Sequence, residues 1–229
     1  MNIAKYIAWY MVKHETTTAL RFKAYTAIKE KLIYLEIKPG EKILETELAK
    51  ALNVSRTPVR EALLMLEHEK LVVCSDSLGF MVRRFSARDV EEYFALRNVI
   101  EDFVISLVVK NITEDELLIL KNNINDGKKV VKEGDIHKIV RCESEFHDLL
   151  YKIAKSEVLF ETISSLVDKF QIFRALALSV PGSPGNSLAQ HKTIVDLIEK
   201  KDLKALKKVM RLHLEEARGK VARLPGLLL

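Results

Sequence analysis

Two cysteines in 229 residues, Cys74 and Cys142, have neither metal-ligand nor redox spacing and fit a chain kept in a reducing cytosol. No apolar run is long enough to cross a bilayer. Ile3 to Val12 is apolar but short, contains Lys5 and lacks a small-residue cleavage site, which argues against a signal peptide. Phosphate loops, dinucleotide fingerprints and nucleophile motifs are missing, so the usual marks of an enzyme are not there. There is no internal repeat, and Pro181-Gly-Ser-Pro-Gly185 is the single low-complexity loop, expected as a flexible connection. What remains is a chain sized for a small domain followed by a medium one. Its positive excess is modest, 37 Lys and Arg against 32 Asp and Glu. Residues 1–85 hold 14 basic and 10 acidic side chains, and the rest hold 23 and 22.

The densest information lies between Glu45 and Leu66. Leu48, Ala49 and Leu52 give a short helix one buried stripe, and Asn53-Val54 breaks it. Ser55 is a good N-cap for the next helix, with Pro58 in its first turn, where a missing N–H costs nothing. Val59, Ala62, Leu63 and Leu66 then recur at i, i+3, i+4 and i+7 and form a buried face. At about 100° per residue, Arg56, Thr57 and Arg60 fall together beside that face. A helix whose first turns present two arginines and hydroxyls has the shape and chemistry that enter a DNA major groove. Upstream, Tyr25, Ile28, Leu32 and Leu35 predict a helix packing across the pair, ended by Lys38-Pro39-Gly40. Downstream, Leu71–Cys74 and Phe80–Arg83 predict a hairpin whose tip carries Gly79, open to close approach of a sugar-phosphate. The pattern is a winged helix-turn-helix.

Pro39-Gly40-Glu-Lys-Ile-Leu-Glu-Thr-Glu-Leu-Ala49, Val54-Ser-Arg-Thr-Pro-Val-Arg-Glu-Ala-Leu63 and Gly79-Phe80 resemble the GntR family of bacterial transcription regulators. That resemblance covers residues 20–85 and implies operator contacts from Ser55, Arg56, Thr57 and Arg60, with a minor-groove contact by the wing at Gly79. Two positions depart from the family pattern. Thr46 stands where some members carry a DNA-touching arginine. Lys70 stands where a helix-ending glycine is usual, which predicts a less sharp turn into the wing.

Residues 86–229 are helical in period, with breaks at Asn111-Ile-Thr113, Glu133-Gly134, Lys155-Ser156, Val180–Gly185 and Lys200-Lys-Asp202. The reading is mainly α: a winged helix-turn-helix followed by a six-helix bundle, with residues 1–19 as an N-terminal extension, an extra helix or an arm. Glu143 and His147 stand four apart on one helix face, able to reach one ion. His191 is expected to open the fifth bundle helix, and His213 lies mid-way along the sixth. Spacing alone does not establish that these helices meet, and a lone histidine on such a helix is more often a surface or satisfied core residue. His68 and His137 read as surface, and His14 is unplaced.

Glu143-Ser-Glu-Phe-His147, Gln190-His191-Lys-Thr-Ile-Val-Asp-Leu-Ile198 and Met210-Arg-Leu-His213-Leu resemble the FCD effector domain of the FadR branch of that family. The six-helix count places the chain nearer its VanR-type members. The resemblance implies a divalent metal on Glu143, His147, His191 and His213, zinc first, with nickel and manganese as alternatives. Glu143 replaces the usual aspartate, and its extra methylene carries the carboxylate outward. Resemblance also marks Arg97 as facing a small-molecule pocket, where a guanidinium suits a small organic acid. Arg97 paired with a bundle carboxylate is the structural alternative, and Arg141 and Arg174 are weaker candidates for the pocket. The implied function is a cytoplasmic homodimeric repressor on double-stranded operator DNA, released by the acid, with no catalytic residue and no membrane. A purely structural metal without an effector is the alternative, and a metal-dependent hydrolase a remote one, since Glu145 lies around the helix from Glu143.

Overall fold

The computed structural model describes residues 3–75 and 77–224, with side chains from residue 18 onward. Two compact units divide between Arg84 and Phe85. The first begins with α1 (Ile3–Ile33), which continues unbroken through the backbone expected to form a separate extension. Its Ala24, Ile28 and Leu32, four apart, are buried against α3 (Arg56–His68). The Tyr25 hydroxyl donates to Glu69 at 2.5 Å and Lys29 pairs with the same carboxylate at 2.9 Å, pinning α1 to the end of α3. The helix stops earlier than expected. Leu35 does not extend the buried stripe but takes a left-handed turn (φ 59°), which frees the chain to run along the wing. There Gly40 N–H donates to Val82 O at 2.9 Å and Ile43 N–H to Phe80 O at 2.8 Å.

Between them, α2 (Glu45–Leu52) buries Leu48 and Ala49, and α3 buries Val59, Ala62, Leu63 and Leu66, as their spacing predicts. Asn53 turns left-handed (φ 52°), with Val54 N–H closing onto Ala49 O at 3.0 Å. This makes the turn tight. The wing is β1 (Val72–Ser75) antiparallel to β2 (Gly79–Val82), one residue displaced from the runs read in the sequence. Gly79 sits opposite Ser75 with φ +73°.

Lys70 does not loosen the entry to the wing. It adopts the left-handed conformation itself (φ 60°). Leu71 N–H reaches Leu66 O at 3.0 Å and Lys70 N–H reaches Glu67 O at 2.8 Å, a Schellman closure of α3. The closure requires the geometry, so the side chain is tolerated at a cost of about 1–2 kcal/mol.

Among the described residues the second unit is six helices: α4 (Ala87–Asn111), α5 (Glu114–Glu133), α6 (Ile136–Ile153), α7 (Glu157–Leu178), α8 (Ser183–Glu199) and α9 (Leu203–Val221). Ser86 with Asp89 and Thr113 with Glu116 form capping boxes on α4 and α5, while Asp135, Ser156 and Asp202 cap α6, α7 and α9. In the bundle α4 packs on α9 and α6, α8 on α5 and α9, and α7 on α9 and α6. Phe146, Phe170 and Phe173 are the largest fully buried rings.

One expectation is corrected here. Ser183-Pro184-Gly185 is not loop but the first turn of α8, because proline at a helix start loses no hydrogen bond. His191 therefore sits in the middle of α8, not at its opening. Among the described residues no helix is long and apolar enough to cross a membrane.

Replacing Lys70 by glycine should relieve the left-handed strain. Glycine's own entropic cost of about 0.5–1 kcal/mol is smaller than that strain, so Lys70→Gly should raise stability by up to about 1 kcal/mol in urea unfolding. A loss of stability would contradict the strain assignment.

Candidate DNA interface and metal centre

In the first unit, Ser55, Arg56, Thr57, Arg60 and Thr46 are all exposed. Ser55 has the extended backbone of an N-cap (φ −73°, ψ 168°), yet its side chain makes no capping hydrogen bond. Arg56 and Arg60, 67% and 60% exposed, both reach back to one carboxylate: Arg56 Nη2 is 3.2 Å and Arg60 Nη1 3.4 Å from Glu45. Glu45 was not singled out from the sequence. It lies on α2, and only the turn at Asn53 brings it under the start of α3. Arg60 also lies 5.8 Å above the Phe80 ring on the wing. Between α3 and the wing opens a groove of about 460 Å³, lined among others by Lys42, Thr46, Arg56, Arg60 and Gly79. Cationic groups, hydroxyls and bare backbone thus line one concave surface, which suits a phosphodiester backbone and base edges.

In the second unit, α6, α8 and α9 bring His147, His191 and His213 together. Their ligand nitrogens lie within 4.8 Å of one another, and all three rings are buried. Burial, helped by Arg97 and Arg174, holds the His213 ring down to about 3, and burial holds His147 and His191 well below their ordinary value. All three are neutral near pH 7, the form that ligates. The Nδ1 of His213 faces Gln190 Oε1 at 2.8 Å, and the Nδ1 of His191 faces Glu143 Oε2 at 3.5 Å. With acceptors on those outer nitrogens, the ring protons belong there. The two Nε2 lone pairs then face each other at 3.3 Å. Tetrahedral zinc, with Zn–N of about 2.0–2.1 Å, would place its ligand nitrogens roughly 3.3–3.4 Å apart. Facing lone pairs in a buried site are repulsive until a cation separates them, so the donor set fits a metal ion.

Glu143 lies apart from this cluster. Its carboxylate accepts from Ser187 Oγ at 2.6 Å and faces the outer nitrogen of His191, and burial pushes its carboxyl up to about 7. The sequence reading missed a second buried carboxylate, Glu101. It accepts from Tyr151 Oη at 2.9 Å and from Arg97 Nε at 3.3 Å, and its Oε1 is 3.3 Å from His147 Nδ1. Its signal was present, four residues after Arg97 on the same face, but the partner Tyr151 comes from α6.

Arg97 is buried, as the pocket reading requires, and paired with a bundle carboxylate, as its structural alternative requires. Its Nη2 also stands 3.3 Å from both nitrogens of His147. Arg174 is buried beside it, donating to Ser144 Oγ at 2.8 Å, while Arg141 is exposed. Burial and the neighbouring Arg97 lower Arg174 to about 10, still cationic at neutral pH. Arg97, Arg174, Lys220, Ser183, Gln190 and His213 are among the residues lining a cavity of about 20 Å³, room for about one water. Arg174 Nε and Ser183 Oγ are buried there without a hydrogen-bond partner. His68 and His137 are exposed, as read, and the side chain of His14 lies outside the described residues.

Unfolded imidazoles take up a proton near 6.5, whereas these three do so only far lower in the fold. The unfolded state therefore binds more protons in acid, and stability is lost as the pH is lowered through 6.5. Glu143, raised from 4.5 to about 7, acts with opposite sign between those values but is one group against three. Metal-free protein should show a melting temperature that drops from pH 7 to pH 5, less steeply in His213→Asn. A flat profile would mean that the rings are not buried in neutral form.

The comparisons agree with both units. Residues 20–82 match the model of the bacterial regulatory proteins of the gntR family, and residues 92–216 match the FCD domain. The chain is 30% identical over 202 residues to the HTH-type transcriptional regulator YdhC of Bacillus subtilis, covering 88% of this chain and 90% of that one. It is 26% identical over 200 residues to the HTH-type transcriptional repressor RspR of Escherichia coli, covering 87% and 88%. In fold it resembles the solved structure of E. coli McbR/YncC, with a TM-score of 0.75 and 22% identity over 86% of this chain and 94% of that one. The chain therefore belongs to the GntR family, in the branch that carries an FCD domain, and is a DNA-binding transcriptional regulator, not an enzyme.

Proposed function

We propose that this regulator is a cytoplasmic repressor that sits on operator DNA as a homodimer and is released by a small organic acid bound beside a divalent ion in the FCD domain. Ser55, Arg56, Thr57 and Arg60 read the major groove, Thr46 stands at its edge, and the wing approaches the minor groove at Gly79. The observation that carries the DNA reading is the shared tether of both arginines to Glu45, 3.2 and 3.4 Å away. It holds two long cations in one orientation before DNA arrives, so less side-chain freedom is lost on binding. Of the two relatives compared by sequence, one is named a repressor.

His147, His191 and His213 would hold the ion, with Glu143 orienting His191 and Gln190 orienting His213. An all-imidazole set favours zinc, with nickel next and manganese last. Bound there, the ion supplies positive charge and an open coordination position to a ligand oxygen. Arg174 and Arg97 supply the second grip, and the unpartnered Arg174 Nε and Ser183 Oγ are donors awaiting an acceptor. A ligand releases DNA only to the extent that it prefers the DNA-incompetent arrangement. The small cavity favours a second reading, in which the ion only braces the bundle. Under the first reading the bundle must open to admit the acid.

Arg56→Ala,Arg60→Ala should lose roughly thirtyfold or more in operator affinity, taking about 1–3 kcal/mol for each base-reading arginine. Gel shifts at fixed salt measure this, with circular dichroism unchanged because both side chains are exposed. Undiminished specific binding would remove the assignment. Elemental analysis of purified wild type should find about one divalent ion per chain, and His147→Ala,His191→Ala far less. Substoichiometric metal in both proteins would eliminate the site. Thermal shifts with chelator, and then with a panel of organic acids added to metal-loaded protein, separate the two readings. Stabilisation by an acid supports an effector, whereas an effect of chelator alone supports a brace.

A further inference from the structure

Helix α4 carries two seams of the same period. Val90, Phe94, Arg97, Glu101, Val104 and Val108, spaced alternately four and three apart, are buried in the bundle. Glu92, Leu96, Val99, Phe103, Ser106 and Lys110 repeat the same alternation on the opposite face. That second set faces outward: Leu96, Val99 and Phe103 are 44%, 70% and 53% exposed. Glu92 and Lys110 are also exposed, and Ser106 is half-buried. A 3.5-residue apolar repeat on one helix is the signature of a helix that packs along another at a shallow angle. Three large apolar side chains in one line on an open face, with a charge at either end, call for a partner.

The charges select the partner. If a second α4 runs antiparallel, centred opposite residue 101, Glu92 meets Lys110 of the other copy, Leu96 meets Ser106, and Val99 meets Phe103. Every layer then has its symmetry mate, as a two-fold interface requires. Both ends of the seam carry opposite charges, while a parallel pair would stack Glu on Glu and Lys on Lys. The polar members are compatible with contact. Ser106 Oγ already donates to Asp102 O at 2.8 Å in its own helix. Flanking acids are also spoken for: Asp102 pairs with Arg211, and Glu91 with Arg218 at 2.6 Å. We infer that the outer seam of α4 is the self-association surface of the FCD domain, an antiparallel α4–α4 pair with Val99 packed on Phe103 across the two-fold. The pair would run roughly 27 Å, at 1.5 Å per residue from 92 to 110. It rests on the proposed dimer and names where that dimer is made. The inner seam of this same helix carries Arg97 and Glu101, so the interface and the buried site share one rigid element.

Sedimentation velocity of the full chain, free and on operator DNA, is the first measurement. Wild type should sediment as a dimer, and Val99→Glu,Phe103→Glu as a monomer with unchanged helical circular dichroism. Glu92→Lys should weaken the dimer by setting lysines opposite each other, and Glu92→Lys,Lys110→Glu should restore it. In a Cys74→Ser background, Leu96→Cys,Ser106→Cys should oxidise to a covalent dimer. On one helix the two positions lie about 15 Å apart, too far to bridge within a chain. A wild type that is monomeric with and without DNA overturns both the dimer and the seam. A wild-type dimer that survives Val99→Glu,Phe103→Glu and fails to cross-link overturns the seam alone and leaves the dimer to another surface.

Discussion

Three imidazoles, two guanidinium groups and two carboxylates are buried within a helical bundle, and each needs a partner because a buried polar group left alone is expensive. This constraint organises the second unit. Glu101 answers Arg97, Tyr151 and His147; Glu143 answers Ser187 and His191; Gln190 answers His213. Apart from Arg97 and Glu101, which share α4, these pairs join different helices, so the polar network helps to fix the register of α4, α6, α8 and α9. The matching is incomplete: Arg174 Nε and Ser183 Oγ are buried without a hydrogen-bond partner, and the nitrogens of His191 and His213 face each other at 3.3 Å. That opposed pair, with His147 beside it, is a buried donor set able to hold a metal ion.

The first unit solves a different problem, that of holding long cationic side chains ready on a surface. Glu45 does so from α2, and the Phe80 ring limits Arg60 from the wing. These are exposed contacts and contribute little to stability. What they set is the orientation of the two guanidinium groups at the start of α3. The same unit accepts local strain at Lys70, since the Schellman closure needs a left-handed residue whatever its side chain.

Much of this was legible in one dimension. The stripe Val59, Ala62, Leu63, Leu66 and the break at Asn53 are short-range facts, set by helix period and turn chemistry, and they appear where the pattern puts them. Five of the bundle helices, α4 to α7 and α9, follow for the same reason, because their capping side chains lie within three residues of the helix start. The end of α1 and the start of α8 were misplaced. Ser183 starts α8 because Pro184 fits the first turn, a local signal that the Pro-Gly-Ser-Pro-Gly composition masks, and Leu35 turns left-handed instead of extending α1. Glu45 had no stand-out signal and Glu101 only its spacing of four from Arg97, since a glutamate on a helix reads as a solvated face until the partner helix is in place.

The sequence by itself determined the two units, the helix that carries Arg56 and Arg60, and which histidines share helical faces with apolar residues. These depend on neighbours within a turn or two of helix. Only the tertiary structure decided that the three histidines converge, that Glu143 stops at the outer side of His191 while Glu101 stands by His147, and that α4 turns an apolar seam outward. Those outcomes rest on the packing of helices far apart in the chain, which no local pattern specifies.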